Sequence, residues 1–274
     1  MLAAAAFASK LLLYAACLGA AGAALHRCLG IVSERRVLVW LGMLVTAAAL
    51  LRLLIVNAQM GGGFGAAFSA AQFEWAWAGV GSQTTAFVAG AALLVASALA
   101  PSRLLSAPAA VVIAAGFGLA GHSAGLAAPG VAPYAVMGHV LIAAFWLVAP
   151  LTLWPRDAET AEMTLHRTRM FSRTAIIIVP LLFLSGAWLL WRIGGGIDGV
   201  LSSLYGRLLL GKLALAMAIL GLGALNMTVV TKELETAPAS GRKALRATLR
   251  IDAVLFCGVL LLIASATTFT GPTE

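Results

Sequence analysis

The feature that most limits the fold of this chain is a series of eight apolar runs, each long enough to cross a lipid bilayer. A transmembrane helix needs about 20 mostly apolar residues, because the hydrocarbon core is about 30 Å thick and a helix rises about 1.5 Å per residue. The runs predict an all-α, polytopic membrane protein, a bundle of eight transmembrane helices in which residues 1–274 form a single transmembrane domain. Their limits are 3–27, 36–57, 79–100, 104–127, 132–154, 170–193, 204–231 and 246–270.

The composition agrees with a membrane protein. Of 274 residues, 62% are hydrophobic and 10% are charged, and the mean hydropathy is +1.00, whereas soluble domains carry about 25% charged residues. The net charge of +8 would suggest nucleic acid as a partner in a soluble protein. Here the basic residues mark loops on one side of the membrane, so we expect no nucleic-acid partner. Three cysteines without a CxxC pair suggest neither disulfides nor a thiolate metal site.

The basic residues also predict the orientation. The first, third, fifth and seventh loops with their flanks hold thirteen of the eighteen, namely Arg27, Arg35, Arg36, Arg103, Arg156, Arg167, Arg169, Arg173, Lys232, Arg242, Lys243, Arg246 and Arg250. The positive-inside rule then places these loops in the cytoplasm and both termini in the periplasm. The first run resembles a cleaved signal peptide, but the arginines after it would hold its far end in the cytoplasm, so we expect it to remain as a helix.

Two histidines lie inside apolar runs on either side of a Pro/Gly turn at 128–133. His122 precedes the centre of the turn by about as many residues as His139 follows it, so an antiparallel helix pair would carry both imidazoles at the same depth. Ionisable residues at such depth usually have a function. Two imidazoles on neighbouring helices suit a shared Cu, Zn or Fe ion, or a haem. The alternative is that each ring only bridges helices by hydrogen bonds.

Methionines and outer basic residues are further candidates. Thioether and imidazole together favour Cu(I), so Met137, near His139, and Met60, on the long outer loop 58–78, are possible weaker ligands. Met137 is two residues from His139 and therefore points to another helix face. Arg52 and Lys212 lie deeper than the other outer basic residues. They are candidates for pairing with an acid or an anionic group such as a haem propionate.

Asp252 is the acidic residue placed inside an apolar run in the inner half of the last helix. Asn226 lies at similar depth, and Arg173 at the start of the sixth run is a plausible ion-pair partner. The carboxyl group would be costly in hydrocarbon unless paired. The sequence leaves two roles of Asp252 open, a structural ion pair and a proton or ion relay.

The chain lacks a GxxxxGK[ST] phosphate loop, a GxGxxG fingerprint and an HExxH motif. ATP-driven pumping and nicotinamide chemistry within this sequence are therefore not expected.

Several motifs in the second half resemble the CopD family of bacterial inner-membrane copper resistance proteins. They are Gly121-His122-Ser123-Ala124, His139 followed by AAFWL, MFSRTAIIIVPLLFLSGAW at 170–188, LYGRLLLGKLALAMAILGLGALN at 204–226, and the last helix. The resemblance is strongest over 116–272. Val148-Ala149 stands where the family usually has a glycine, and Asp252 stands where it has a glutamate.

This resemblance implies copper handling at the inner membrane, by uptake from the periplasm or transfer to a partner, often beside a periplasmic copper protein of the CopC type. It puts His122 and His139 forward as copper ligands. CopD-like bundles are also similar to the membrane protoporphyrinogen oxidase of bacteria, so a haem-binding redox protein, with haem b held by histidine, is the alternative. A membrane scaffold whose histidines only bridge helices is the third.

Overall fold

The computed structural model describes residues 1–31, 34–121, 124–126 and 128–270, and every regular element in these ranges is helical. Two 3-10 turns, Phe64–Ala66 and Arg103–Leu105, and one π-helical turn, Asn226–Val230, accompany the α-helices. The helices are α1 Leu2–Cys28, α2 Arg35–Met60, α3 Ala70–Leu99, α4 Ser106–Gly118, α5 Ala132–Leu147, α6 Ala149–Thr152, α7 Ala161–Ile193, α8 Gly196–Ser202, α9 Leu204–Leu225, α10 Thr231–Thr236 and α11 Pro238–Phe269.

Seven helical segments of the described chain are long and apolar enough to cross a membrane. The fourth predicted span is shorter than expected, since the apolar helix there covers Arg103–Gly118 and does not reach residue 127. Gly121 and Gly130 have positive φ angles of 87° and 50°, and glycines in that conformation commonly end helices. The prediction of eight spans therefore becomes seven spans and one shorter apolar helix.

Three predicted helix starts were too late. α3 begins at Ala70 instead of 79, α7 at Ala161 instead of 170, and α11 at Pro238 instead of 246. The predicted fifth loop is thus partly helical. An apolar run covers only the part of a helix that lies in the hydrocarbon core, whereas the helix itself continues beyond the core to its capping residue. At α7 that cap is Thr160, whose hydroxyl accepts a hydrogen bond from the Met163 amide at 3.2 Å.

Helix α1 is the centre of the packing, since it contacts α2, α4, α5 and α11. Alanine and glycine line its buried face, among them Ala16, Ala20, Ala21 and Ala24. Small residues let neighbouring backbones approach closely, which is how membrane helices gain packing contacts. In the second half, α5 packs on α7, and α9 packs on α11.

The first and last helices meet at one end of the bundle, which we call the outer end. There the ring of Phe7 stacks on Phe269 with centroids 5.5 Å apart, and Lys10 donates a hydrogen bond to the Thr267 carbonyl oxygen. The start of α1 and the end of α11 therefore lie at the same end of the bundle. That this side is periplasmic stays a prediction.

Ion pairs join the connections at the opposite, inner end. Arg156 pairs with Glu34 and Arg169 with Glu235, so the first, fifth and seventh connections come together as the loop assignment requires. Two further pairs lie at the fifth connection, Arg167 with Glu159 and Arg246 with Asp157. The hydrogen bond and charge of Arg246 lower the pKa of the Asp157 carboxyl. Because Asp157 is exposed, this pair contributes little to stability.

A glycine on α1 sets the distance between α1 and α5, and this yields a stability prediction. A Cβ added at Gly22 would lie 2.1 Å from the Ala144 carbonyl oxygen, whereas one at Gly19 on the same helix would meet only Leu41 Cδ2, at 3.8 Å. We expect Gly22→Ala to lower the free energy of unfolding by about 1–3 kcal/mol, the usual cost of overpacking. Gly19→Ala should be neutral or slightly stabilising.

Thermal unfolding of both variants in detergent micelles checks this expectation. Equal melting temperatures for Gly22→Ala and Gly19→Ala would show that α1 and α5 are not held at the distance described above.

Candidate metal site around His139

His139 lies on α5 with its ring against α7. Its Nδ1 atom is 3.1 Å from Ser185 Oγ, and a Cβ added at Gly186 would lie 3.0 Å from its Cε1 atom. Glycine at position 186 therefore makes room for the imidazole. The ring is half-buried, at a level about two turns below the outer ends of both helices.

Ser185 holds His139 through one of its ring nitrogens. Ser185 Oγ lies 3.1 Å from Nδ1 and 3.0 Å from the Leu182 carbonyl oxygen. A hydroxyl has one proton to donate, so when Ser185 donates to this carbonyl oxygen it accepts from Nδ1–H. The neutral ring then keeps its lone pair on Nε2, the arrangement in which metal-binding histidines are usually held.

Lys212 on α9 adds a basic side chain to this region. It is half-buried and close enough to His139 to interact with it electrostatically. The described part of the chain contains four ion pairs, and Lys212 belongs to none of them. The structure thus brings together His139 from α5, Ser185 and Gly186 from α7, and Lys212 from α9.

His122, the second predicted ligand, lies outside the described residues, so the proposed pairing of the two imidazoles stays a prediction. The connection that contains it runs from α4 to α5, and these two helices pack closely at Gly118 and Pro133. Arg192 near the end of α7 donates a hydrogen bond to the Ala128 carbonyl oxygen at 3.0 Å. This connection is therefore tied to the helix that His139 faces.

The methionines lie at different places. Met60 is the last residue of α2 and is exposed, whereas Met137 is half-buried on α5. In the described part of the chain no group of three or more His, Cys, Asp and Glu residues is placed to hold a metal ion. A site at His139 therefore depends on ligands such as His122 or a methionine.

Arg52 belongs to a separate basic cluster near the outer end. Its Nη1 atom is 3.4 Å from the Ala6 carbonyl oxygen, and it interacts electrostatically with Lys10 and Tyr14. Tyr14 Oη is 3.2 Å from Thr267 Oγ1. Arg52 and Lys212, predicted together as anion-pairing residues, thus lie in different places, one between α1 and α2 and the other beside His139.

Asp252 lies on α11, and Asn226 lies on the π-helical turn that contacts this helix. Arg173 lies elsewhere, on α7. Thr248, one turn before Asp252 on α11, has its Oγ1 atom 2.6 Å from Asn226 Oδ1. Asp252 is buried with 5% of its surface exposed. Arg173 is exposed on α7, and the structure contains no ion pair between it and Asp252.

His26 is a buried histidine that the sequence analysis did not select. Its Nε2 atom is 3.0 Å from the Phe145 carbonyl oxygen, and its Nδ1 atom is 2.7 Å from Thr152 Oγ1. The carbonyl can only accept, so Nε2 carries the proton, and Nδ1 is in contact with the Thr152 hydroxyl, which also reaches the Val148 carbonyl oxygen at 3.1 Å. Both nitrogens are used, which makes His26 a structural residue where α5 breaks before Pro150. The nearby proline was the available signal, because it leaves backbone carbonyls in need of donors.

Comparison with known proteins supports the predicted family. Residues 165–266 match the family model described as Copper resistance protein D. Over 126 residues the chain is 35% identical to "Copper resistance protein D" of Pseudomonas syringae pv. tomato, an alignment that covers 44% of this chain and 41% of that protein. The chain thus spans about two fifths of the length of this curated relative. No solved structure matches the chain.

The matched region places the site residues in two groups. Ser185, Gly186, Lys212 and Asp252 lie inside 165–266, whereas His122 and His139 lie before it. The resemblance predicted for 116–164 is outside the residues that the family model covers.

Proposed function

We propose that this chain, whose residues 165–266 match the family model described as Copper resistance protein D, is a copper-binding protein of the bacterial inner membrane that takes up copper from the periplasm. His139 and His122 are the proposed ligands, near the outer end of the bundle. The observation that carries this proposal is the hydrogen bond between Ser185 and Nδ1 of His139, because a histidine held through Nδ1 has Nε2 free of this contact and can offer it to a metal ion.

Lys212 suits a site that must release its ion. Lys212 in its protonated form weakens the binding of a copper cation at the neighbouring imidazole, and conduction requires sites that an ion can both enter and leave. Met60 and Met137 are proposed as auxiliary thioether ligands for Cu(I). Met60 is exposed at the end of α2, where it would meet copper first.

The proposed orientation has the outer end in the periplasm. It is supported by the basic residues, thirteen of eighteen of which belong to the odd-numbered loops and their flanks. Copper would then arrive at the outer end, and a periplasmic copper protein of the CopC type is the proposed donor.

Metal analysis of detergent-purified protein tests the proposal. We expect about one copper ion per chain, as one shared site requires, and loss of that ion in His139→Ala and in His122→Ala. His166→Ala is the matched control, because His166 is exposed at the inner end and should leave the copper content unchanged. Retention of copper in both site variants would contradict the proposed ligands. A Soret band in the visible spectrum would point to haem instead.

A further inference from the structure

Asp252 is a buried acid without a partner. Only 5% of its surface is exposed, and its Oδ1 atom has no hydrogen-bond donor. It takes part in none of the four ion pairs of the described residues. A carboxylate ion in this position would carry a large desolvation cost, so the group is neutral and holds a proton.

The ionisable groups on the helices that pack around Asp252 either have other partners or lie away from it. Helix α11 packs against α1, α6, α9, α10 and the π-helical turn. On α1, His26 uses both ring nitrogens, and Arg27 donates to the carbonyl oxygen of Ser97 at 3.2 Å. On α9, Lys212 is beside His139 in the outer half, and α6 has no ionisable residue.

The charged residues of α10 and of α11 itself are also accounted for. On α10, Glu235 pairs with Arg169, Glu233 accepts a hydrogen bond from Ser240, and Lys232 is exposed. On α11, the Arg250 guanidinium lies over the Trp154 ring, 5.5 Å from its centroid. None of these charges compensates Asp252.

Polar groups follow Asp252 along α11 toward the inner end. Thr248 lies one turn away on the same face of α11 and reaches Asn226 Oδ1 at 2.6 Å. Asn226 begins the π-helical turn, and its carbonyl oxygen accepts from Thr231 Oγ1 at 2.7 Å. π-helical turns occur frequently at functional sites.

Aromatic rings separate Asp252 from His139. Trp146 lies two turns inward from His139 on α5, and its ring contacts Phe183 and Phe256 edge to face, with centroids 6.3 Å apart in each pair. Phe256 is one turn outward from Asp252 on α11. An ion passing from His139 to the inner end would therefore meet the aromatic cluster first and the carboxyl group next.

We propose that Asp252 is a proton-exchange site that couples copper movement to protonation, an inference that rests on the proposed function. When copper passes the aromatic cluster, the O–H bond of the carboxyl group breaks and the proton leaves past Thr248 and Asn226 to water at the inner end. The carboxylate keeps the electron pair and compensates the copper charge. A proton from water at the inner end then returns to the carboxylate, which loses its negative charge and releases the ion inward.

Infrared spectroscopy tests the proton on Asp252 without copper. At neutral pH the wild-type protein should show the carbonyl stretch of a neutral carboxylic acid in an apolar environment, and Asp252→Asn should lack it. Glu162→Gln, which changes an exposed acid at the inner end, is the matched control and should keep the band. Absence of the band from the wild-type protein would overturn the assignment of Asp252.

Transport in proteoliposomes tests the coupling. Copper entry through the wild-type protein should slow as the pH of the lumen is raised, because release of the ion needs a proton from the inner end. Asp252→Asn should reduce copper entry to the protein-free level, and Asp252→Glu should restore both the entry and its dependence on the lumen pH. Equal copper entry with equal pH dependence in wild type and Asp252→Asn would overturn the coupling role. A wild-type protein that binds no copper would refute the proposed function and leave the infrared result standing.

Discussion

The Gly186→Leu variant should bind copper about 100-fold more weakly than the wild type, although it changes no proposed ligand, because an error of about 1 Å in the position of a reacting group costs that much. A Cβ at this position would already lie 3.0 Å from His139 Cε1. The three further carbons of leucine would occupy the volume of the ring and force it away from Ser185. Nε2 would then no longer point to the site.

Competition with a copper chelator of known affinity gives the dissociation constants. Gly221→Leu on α9 is the matched control, because a Cβ there meets no atom within 4 Å and the position is exposed. It should keep wild-type affinity. If Gly186→Leu folds and binds copper like the control, the site is not at the α5–α7 contact.

The Ser185→Ala variant should lose about 10–100-fold in copper affinity, the usual cost of removing a group that orients a metal-binding histidine. Without the hydroxyl, Nδ1–H loses its acceptor and the ring can rotate or change its tautomer. The protein should remain folded, because the change removes a single oxygen from a half-buried position.

Two further variants separate this role from a packing effect. Ser185→Thr keeps the hydroxyl and should retain most of the affinity. Ser172→Ala makes the same chemical change elsewhere on α7 and should have no effect. Equal loss in Ser185→Ala and Ser185→Thr would mean that the hydrogen bond does not orient His139.

The sequence predicted the membrane helices because bilayer thickness fixes the length of an apolar run. The basic residues predicted that the first, third, fifth and seventh connections lie in the cytoplasm. The Arg156–Glu34 and Arg169–Glu235 pairs bring the first, fifth and seventh connections to one end of the bundle, and the side of the membrane on which this end lies stays a prediction. The helix starts at Ala161 and Pro238 were missed, because charged residues continue a helix in water without any hydropathy signal.

Side-chain partners were harder to predict than helices. The hairpin argument matched the depth of His139 with His122, but a helix period does not say which neighbour a ring faces, and His139 faces Ser185 on α7. For the same reason Arg173, at a suitable depth for Asp252, lies exposed on another helix face. The depth of a side chain in the membrane follows from its residue number, whereas the direction in which the side chain points depends on how the helices pack.

The two breaks in regular helical hydrogen bonding, at Val148 between α5 and α6 and at the Asn226–Val230 turn, both belong to segments that contact α11. Stretches with irregular backbone bonding tend to open at lower cost than uninterrupted helix. Amide hydrogens around these two points should therefore exchange with deuterium before those of α1. Local unfolding of this bundle would begin in the two segments that pack against α11 near the Asp252 carboxyl group.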